Sequence, residues 1–490
     1  MSLATEARRI LEQLPPGMRE TLEGSVAFLP RPFLYGGTFR ATRAALDRSD
    51  HMSGAELQAM QDARVRDLVA WAHDRVPYYR RIMNERGIRP GHVVRARDLH
   101  LLPTIDRSTM IEHADEMVAR GVPRSAREIV ATSGTSGTPL RLWIDRDRSA
   151  KEWAFMTGQW ARVGYRPGDR RAVLRGVHVK GSERGRIHEW HPLLDELVLS
   201  TFVLSPATLP RYVEVLQRYR PTFLHAYPSS AETLAGLLAE VPAARRPRFR
   251  ALLLGSENLY PAQRERLENA FGCPVFAWYG HSEKCLMGAG CEHSNDYHMI
   301  PDYGVLEVID ADGRPVAPGE SGTIVGTGFL NRVMPFLRYA TDDRGTLAPD
   351  SAAFPGDVVG RCACGRAYPR LRVIEGRWLG ERLFGARGEV FAMTAINSHS
   401  DAFMRVARFR VRQQLPGEAT VQVVPGPGFG PGDSAAIIAA YGRSAAGAIQ
   451  FTVDVVPELS LSGSGKFKLV EQLIPEATQQ ALLQGKNEVA

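Results

Sequence analysis

Apolar residues recur along this chain with two different periods, and the switch between them outlines the fold. Over residues 55–74, Leu57, Met60, Val65, Leu68, Val69 and Trp71 fall at roughly helical spacing, and residues 1–100 read as mostly helical. Tyr78 and Tyr79 continue the apolar stripe and read as core. From residue 170 onward, short buried-strand patterns at 170–176 and 221–228 alternate with helical patterns at 212–219 and 231–241. Residues 251–283 repeat the alternation as strand, helix, strand. Such alternation predicts an α/β fold: mostly parallel sheets flanked by helices, with ligands at the carboxyl ends of the strands. Further on, 409–428 reads as a hairpin and 451–456 as another strand. The expected organisation is a large N-terminal domain at 1–375 and a small, mobile α+β domain at 376–490.

One stretch interrupts the pattern in a chemically pointed way. In IVATSGTSGTPLRLWID (129–145), strand-like ends flank Thr132, Ser133, Gly134, Thr135, Ser136 and Gly137. Glycines free the backbone N–H groups to converge, and the hydroxyls add donors, so the loop suits a phosphate chain. It also suits an ordinary turn between two strands. No lysine follows Gly137 and a strand follows the loop, which distinguishes it from a Walker A loop. Two predicted strand ends carry small, hydroxyl and acidic residues: Gly255-Ser256-Glu257 and Tyr279-Gly280-His281-Ser282-Glu283. A third end holds Tyr227 and Pro228 beside His225 and Ser229, either a pocket wall or a capped strand-to-helix turn.

Composition narrows the classes. A chain of 490 residues, 44% hydrophobic and 23% charged, is long enough for two or more globular domains. No apolar run is long enough to span a bilayer, and the first residues lack the apolar core of a signal peptide, so a cytoplasmic protein with no membrane partner is expected. The net charge is +7, yet arginines are spread evenly, which argues against a nucleic-acid stripe. Lysines are few (Lys151, Lys180, Lys284, Lys466, Lys468 and Lys486), so the close pair in GSGKFK stands out. Five cysteines do not make a disulfide framework here. A C-x₆-H pair plus a C-x-C, at 291–298 and 362–364, is plausible for four-coordinate zinc, with buried free thiols as the alternative.

These pieces fall in one order, and that order resembles the adenylate-forming superfamily, in its phenylacetate–CoA ligase branch, which includes relatives serving polysaccharide pathways. The glycine-hydroxyl loop resembles the superfamily's phosphate loop. PYYR and LPTIDR precede it as in this branch, with Arg107 where a lysine is usual. The resemblance implies an enzyme that makes an acyl-adenylate from ATP and a small carboxylic acid, then forms a thioester with CoA. An amine, a hydroxyl or a carrier-protein thiol is the alternative acceptor, and a catalytically silent nucleotide-binding protein is a further one. It implies that Ser256 and Glu257 meet the adenine, that Tyr279 flanks it next to Gly280, and that Ser282 meets phosphate. Glu283 then holds Mg²⁺, Asp343 takes the ribose hydroxyls, Arg377 marks the domain boundary, and Lys466 acts with Glu283 in catalysis. Tyr227, Pro228 and His281 would line the acid pocket, and Arg175–Leu204 with His178, Lys180, His188 and His191 would give it a basic-leaning wall. Cys291, His298, Cys362 and Cys364 would hold structural zinc, with Cys285 and His293 in reserve. Asp342 stands where the branch has glycine, and the usual hinge acid after Arg377 is absent. A monomer or homodimer is expected.

Overall fold

The computed structural model describes residues 31–132, 140–177, 179–192, 194–201, 203–257, 259–358, 361–375, 382–396, 401–403, 405–459 and 469–483. Three helices open it: α1 (Arg31–Ser49), α2 (Gly54–Arg75) and α3 (Pro77–Glu85). The predicted helix at 55–74 is therefore present almost to the residue. Ser53 starts α2 with a capping box: its hydroxyl takes the Glu56 N–H while the Glu56 carboxylate takes the Ser53 N–H. Leu57, Val65, Leu68, Val69 and Ala72 form its buried face, and Tyr78 and Tyr79 join them in the core. A short helix α4 (Arg107–Glu112) leads to the antiparallel pair β1 (Arg127–Thr132) and β2 (Leu140–Asp145), joined through the glycine-hydroxyl loop.

The large sheet begins after α5 (Arg148–Trp160). Its strands come in chain order as β3 (Arg171–Leu174), β4 (His188–His191), β5 (Glu196–Leu199), β6 (Phe223–Ala226), β7 (Ala251–Gly255), β8 (Val275–Gly280), β9 (Met287–Gly290) and β10 (Tyr297–Met299). Then follow β11 (Gly304–Ile309), β12 (Ser321–Gly328), β13 (Tyr339–Leu347) and β14 (Arg370–Glu375). Twelve strands pair in the order β11-β12-β13-β14-β10-β9-β8-β7-β6-β3-β5-β4. The parallel part is one continuous run, β5-β3-β6-β7-β8, and the remaining pairs are antiparallel. Three crossover helices cover the parallel run: α6 (Leu209–Tyr219), α7 (Pro228–Leu238) and α8 (Pro261–Phe271). Prolines open all three, where their missing N–H has no helical partner to lose. β6 and β7 are buried along their full length, as strands covered on both faces must be.

Beyond the large sheet, β15 (Arg382–Phe384) pairs with β16 (Val390–Ala392), followed by the single turn α9 (Met393–Ile396). The hairpin expected at 409–428 is β17 (Val406–Leu415) with β18 (Glu418–Pro425), and α10 (Pro431–Ser444) leads to β19 (Gln450–Val455). With β20 (Val470–Gln472) they form a second sheet, β19-β18-β17-β20, ahead of the last helix α11 (Glu476–Leu483). This sheet has its own core of Phe391, Phe403, Phe409, Val421, Tyr441 and Phe451.

The N-terminal helical region is fastened to the antiparallel end of the large sheet by a buried arginine. Arg338 directs Nε to both Glu307 oxygens at 3.1 Å and Nη1 to the Leu102 carbonyl at 2.6 Å. Both side chains are about 6% exposed, so neither charge is shared with water. Burial pushes the Glu307 carboxyl up, and Arg338 opposes the rise. Arg338→Met is expected to destabilise the fold by about 3–5 kcal/mol in urea melts, because Glu307 is left charged and dry. The double variant Arg338→Met with Glu307→Leu should recover most of that loss; a double variant no more stable than the single would show that the ion pair is not the cause.

Candidate active site at the carboxyl edge of the sheet

Parallel strands all end on one edge, and on that edge the sequence places its polar tips: Arg175 after β3, Tyr227 after β6, Ser256 after β7 and Tyr279 at the end of β8. The geometry draws several of the expected residues together. Tyr279 Oη donates to Asp343 Oδ2 at 2.8 Å, joining β8 to β13 across 64 residues of chain. Asp343 is 7% exposed, and its N–H is held by Thr341 Oγ1 at 3.2 Å. A β-bulge opposite Thr323–Val325 turns Asp343 inward while Asp342 faces water. Asp342 sits at φ 60°, the conformation that a glycine adopts freely and that aspartate tolerates better than most residues. The departure from glycine at this position therefore keeps the backbone shape.

Glu283 is buried beside Tyr279. Its Oε1 accepts from Tyr339 Oη at 3.0 Å and lies 3.8 Å from Arg107 Nη1, while Oε2 lies 3.3 Å from His281 Nδ1. A buried carboxylate with a cation and a phenol on one oxygen is held in one orientation. It offers a hard oxygen donor, which suits Mg²⁺ better than a soft metal. The next residue, Lys284, adopts φ 58° and reaches Glu152 on α5 at 2.7 Å. Tyr303 Oη donates to the other Glu152 oxygen at 2.7 Å. Burial raises the Glu152 carboxyl, but Lys284 and Tyr303 outweigh it and hold the group below the ordinary carboxylate range. Glu152, Tyr303 and Tyr339 thus support the site without any local motif to announce them.

Glu257 reaches along the edge to the start of α7. It caps α7, accepting from Ser229 N–H at 3.0 Å and Ser229 Oγ at 2.9 Å. Ser256 takes φ 69° and accepts from Arg175 Nη2 at 2.6 Å. Gly255 is required where it stands, since a Cβ there would meet the Trp278 indole at 2.2 Å. Of the basic-leaning wall expected from Arg175 to Leu204, Arg175 joins the strand tips, whereas His191 lies 3.6 Å from Glu189 and the His188 ring packs 5.7 Å from Tyr219. Thr132 ends β1; Ser133, Gly134, Thr135, Ser136 and Gly137, with His178, Arg377 and Lys466, lie outside the described residues.

A second cluster sits farther along the sheet. Antiparallel pairing of β9, β10 and β14 brings Cys291 and His298 next to the loop that carries Cys362 and Cys364. The four donor atoms lie within 4.8 Å of one another. Cys291 Sγ is 3.6 Å from Cys362 Sγ, and Cys364 Sγ is 3.3 Å from His298 Nε2. Tetrahedral zinc with Zn–S bonds of about 2.3 Å places its sulfurs about 3.8 Å apart, so the donor set fits that ion. A hydrogen bond from Cys364 pulls the Cys291 thiol down to about 6, and burial lowers the pKa of His298, keeping its ring neutral. Cys285, a reserve ligand on spacing, is instead a fully buried member of the main core.

With that geometry in place, comparison with known proteins is informative. A family described as AMP-binding enzyme matches residues 197–332, which include β6 to β8 and the 279–283 turn. The chain is similar to a phenylacetate-coenzyme A ligase of Thermus thermophilus, 28% identical over 66% of this chain and 70% of that one. It is also similar to the phenylacetate-coenzyme A ligase of Escherichia coli, 25% identical over 64% of this chain and 72% of that one. Among solved structures, 2-hydroxyisobutyryl-CoA ligase in complex with 2-HIB-AMP and CoA shares the fold, with a TM-score of 0.55 and 23% identity over 89% of this chain and 94% of that one. The matched family model, the relatives and the motif order agree with one another: the chain is similar to AMP-binding, adenylate-forming enzymes of the phenylacetate–CoA ligase-like branch.

Proposed function

We propose that this enzyme activates a small carboxylic acid with ATP and passes the acyl group to the thiol of CoA. In the first step a carboxylate oxygen attacks the α-phosphorus and the bond to pyrophosphate breaks, giving acyl-AMP. In the second the CoA thiolate attacks the acyl carbon and AMP leaves. The observation that carries the reading is the Tyr279–Asp343 hydrogen bond beside buried Glu283, at the carboxyl edge of the parallel strands.

Each role is the one the resemblance implies, and the chemistry of the side chain supports it. Asp343 accepts the two ribose hydroxyls, and the Tyr279 ring covers one face of the adenine while Ser256 and Glu257 border its rim. The segment 132–137 with Ser282 receives the phosphates. Glu283 is the Mg²⁺ ligand, and a bound ion would offset phosphate charge. Lys466 brings a compact ammonium to the α-phosphate from the small domain at 376–490, which closes over the edge as a lid, with Arg377 at the boundary. Tyr227, Pro228 and His281 border the acid. Cys291, His298, Cys362 and Cys364 hold a structural zinc ion that ties the β9–β10 turn to the loop before β14. Such a reaction draws on ATP and CoA and belongs in the cytoplasm.

Asp343→Ala should raise the KM for ATP in ATP–pyrophosphate exchange by roughly 10–100-fold, and Tyr279→Phe by less than about tenfold, because only the Ala variant removes a charged acceptor. Lys466→Ala should lower the exchange rate by about 10²–10³ with little change in ATP KM; an unaltered rate would refute the placement of that lysine. Metal analysis should find zinc bound by the wild type and lost from Cys362→Ser, whose melting temperature falls. Protons compete with zinc for the three thiolates and the neutral His298 ring, so zinc should be retained at neutral pH and its retention should weaken on acidification.

A further inference from the structure

Among the described residues, one guanidinium at the sheet edge has no carboxylate partner. Arg175 follows β3 and crosses the sheet edge toward β7. Its Nη2 donates to Ser256 Oγ at 2.6 Å and its Nη1 to His225 Nε2 at 2.9 Å. The guanidinium carbon lies 5.0 Å from the Tyr227 ring centroid and 5.8 Å from that of Trp278. Arg175 is half-buried, and among the described residues no carboxylate pairs with it. The neighbouring carboxylate, Glu257, is turned onto Ser229. Arg175 Nε and Trp278 Nε1 are buried with no hydrogen-bond partner. Burial and the two nearby guanidiniums, Arg175 and Arg171, hold His225 neutral, so it accepts from Arg175 and adds no negative charge.

Arg171 gives the internal contrast. It lies on the same strand, is 2% exposed, pairs with Glu196 and donates to Tyr165 Oη at 2.6 Å. Where this fold buries an arginine for structure, it supplies the acid. At Arg175 the described residues supply neutral acceptors and aromatic faces, and Nε is left without a partner among them. Position along the edge says which ligand group is meant. β3 lies three strands from β8, roughly 14 Å at about 4.8 Å per strand, and Arg175 reaches back over β6 to the tip of β7, where its guanidinium packs beside the Trp278 ring of β8. Tyr279, Asp343 and Glu283 stand at and beyond β8. An acid whose reacting carboxylate lies toward Glu283 therefore presents its other end to Arg175.

We propose that the acid pocket selects carboxylic acids bearing a second anionic group, a dicarboxylate in the simplest case, and that Arg175, positioned by Ser256 and flanked by Tyr227 and Trp278, is the specificity-determining clamp on that second group. This rests on the reading of the edge as an acid-activating site. The clamp takes no part in bond-making; the far carboxylate binds, and the near one is adenylated.

Calorimetric titration with acids matched except at the far end tests the clamp directly: butyrate against succinate, hexanoate against adipate, phenylacetate against 4-carboxyphenylacetate. In the wild type at least one dianionic member should bind about tenfold or more tighter than its partner, and Arg175→Met should erase that gap by weakening the dianionic member far more than the monocarboxylate. Arg175→Lys, which keeps the charge and loses the fork, should retain part of the preference, and it carries the test if melting shows that the Met variant is not folded. Equal affinities across every wild-type pair, or a preference undiminished in both variants, would overturn the clamp. Hydroxylamine trapping of acyl-AMP with the same acids separates the two readings. A binding gap with no adenylate from any acid would sink the activity and leave the clamp standing. Adenylation of the monocarboxylates alone would leave the activity standing and sink the clamp.

Discussion

The turn after β8 is the constraint on which this structure depends. Within seven residues, Tyr279 is tied to Asp343 on β13, Glu283 to Tyr339, Lys284 to Glu152 on α5, and Cys285 is sunk in the main core. Hydrogen bonds that involve a charge contribute roughly 1.5–3 kcal/mol each, so a turn held by three of them does not drift. The approach is close enough that the opposing strands must lack side chains there. A Cβ on Gly304 would fall 2.1 Å from the Cys285 carbonyl oxygen, and one on Gly328 would fall 2.8 Å from the Cys285 Cα. The turn that offers Glu283 to the edge is thus wedged between the parallel run and the antiparallel strands, and both halves of the sheet fix its position.

How much of this the sequence revealed depends on the range of the interaction. Elements set by local periodicity were legible: the helix over 55–74, the strands ending at Leu174, Ala226, Gly255 and Gly280, and the hairpin of β17 and β18. Short motifs also singled out Tyr279, Glu283 and Asp343, and the fold brings Tyr279 onto Asp343 beside buried Glu283. Partners recruited from far along the chain were not legible. Glu152 sits in an ordinary helical pattern 132 residues before the lysine it binds, and Tyr339 in an ordinary strand. Lys284 was counted among the scarce lysines, but only the fold shows that its charge is spent on anchoring the turn. The large sheet likewise joins its parallel run to seven antiparallel strands, a junction that no period reports.

The cysteines show the same limit in one dimension. Cys285 and Cys291 bracket β9, and a strand rises about 3.3 Å per residue, so the two thiols lie at opposite ends of that strand, roughly 20 Å apart. Only one of them can meet His298. Pairing of His298 with Ala289 on one side and Arg370 on the other settles which: the cluster forms where β9 ends and where the loop before β14 passes. Spacing supplied the candidates; register chose among them.

The two arginines of the β3 region carry the argument from fold to specificity. A half-buried guanidinium loses part of its hydration, and a fold that gains nothing from it would replace it with an apolar or neutral residue. Arg171 recovers that loss through Glu196 and through the faces of Trp153 and Trp160 at 4.6 and 5.7 Å. Arg175 recovers part of its own through Ser256, His225 and two aromatic faces, and the remainder falls to whatever occupies the edge. Under the proposed reading, Arg175 at the tips of β6 and β7 would recognise the acid while the turn after β8 would activate it. Changes at β3 and β6 would then alter which acid is taken while Tyr279, Glu283 and Asp343 stay fixed by the wedge between the two halves of the sheet.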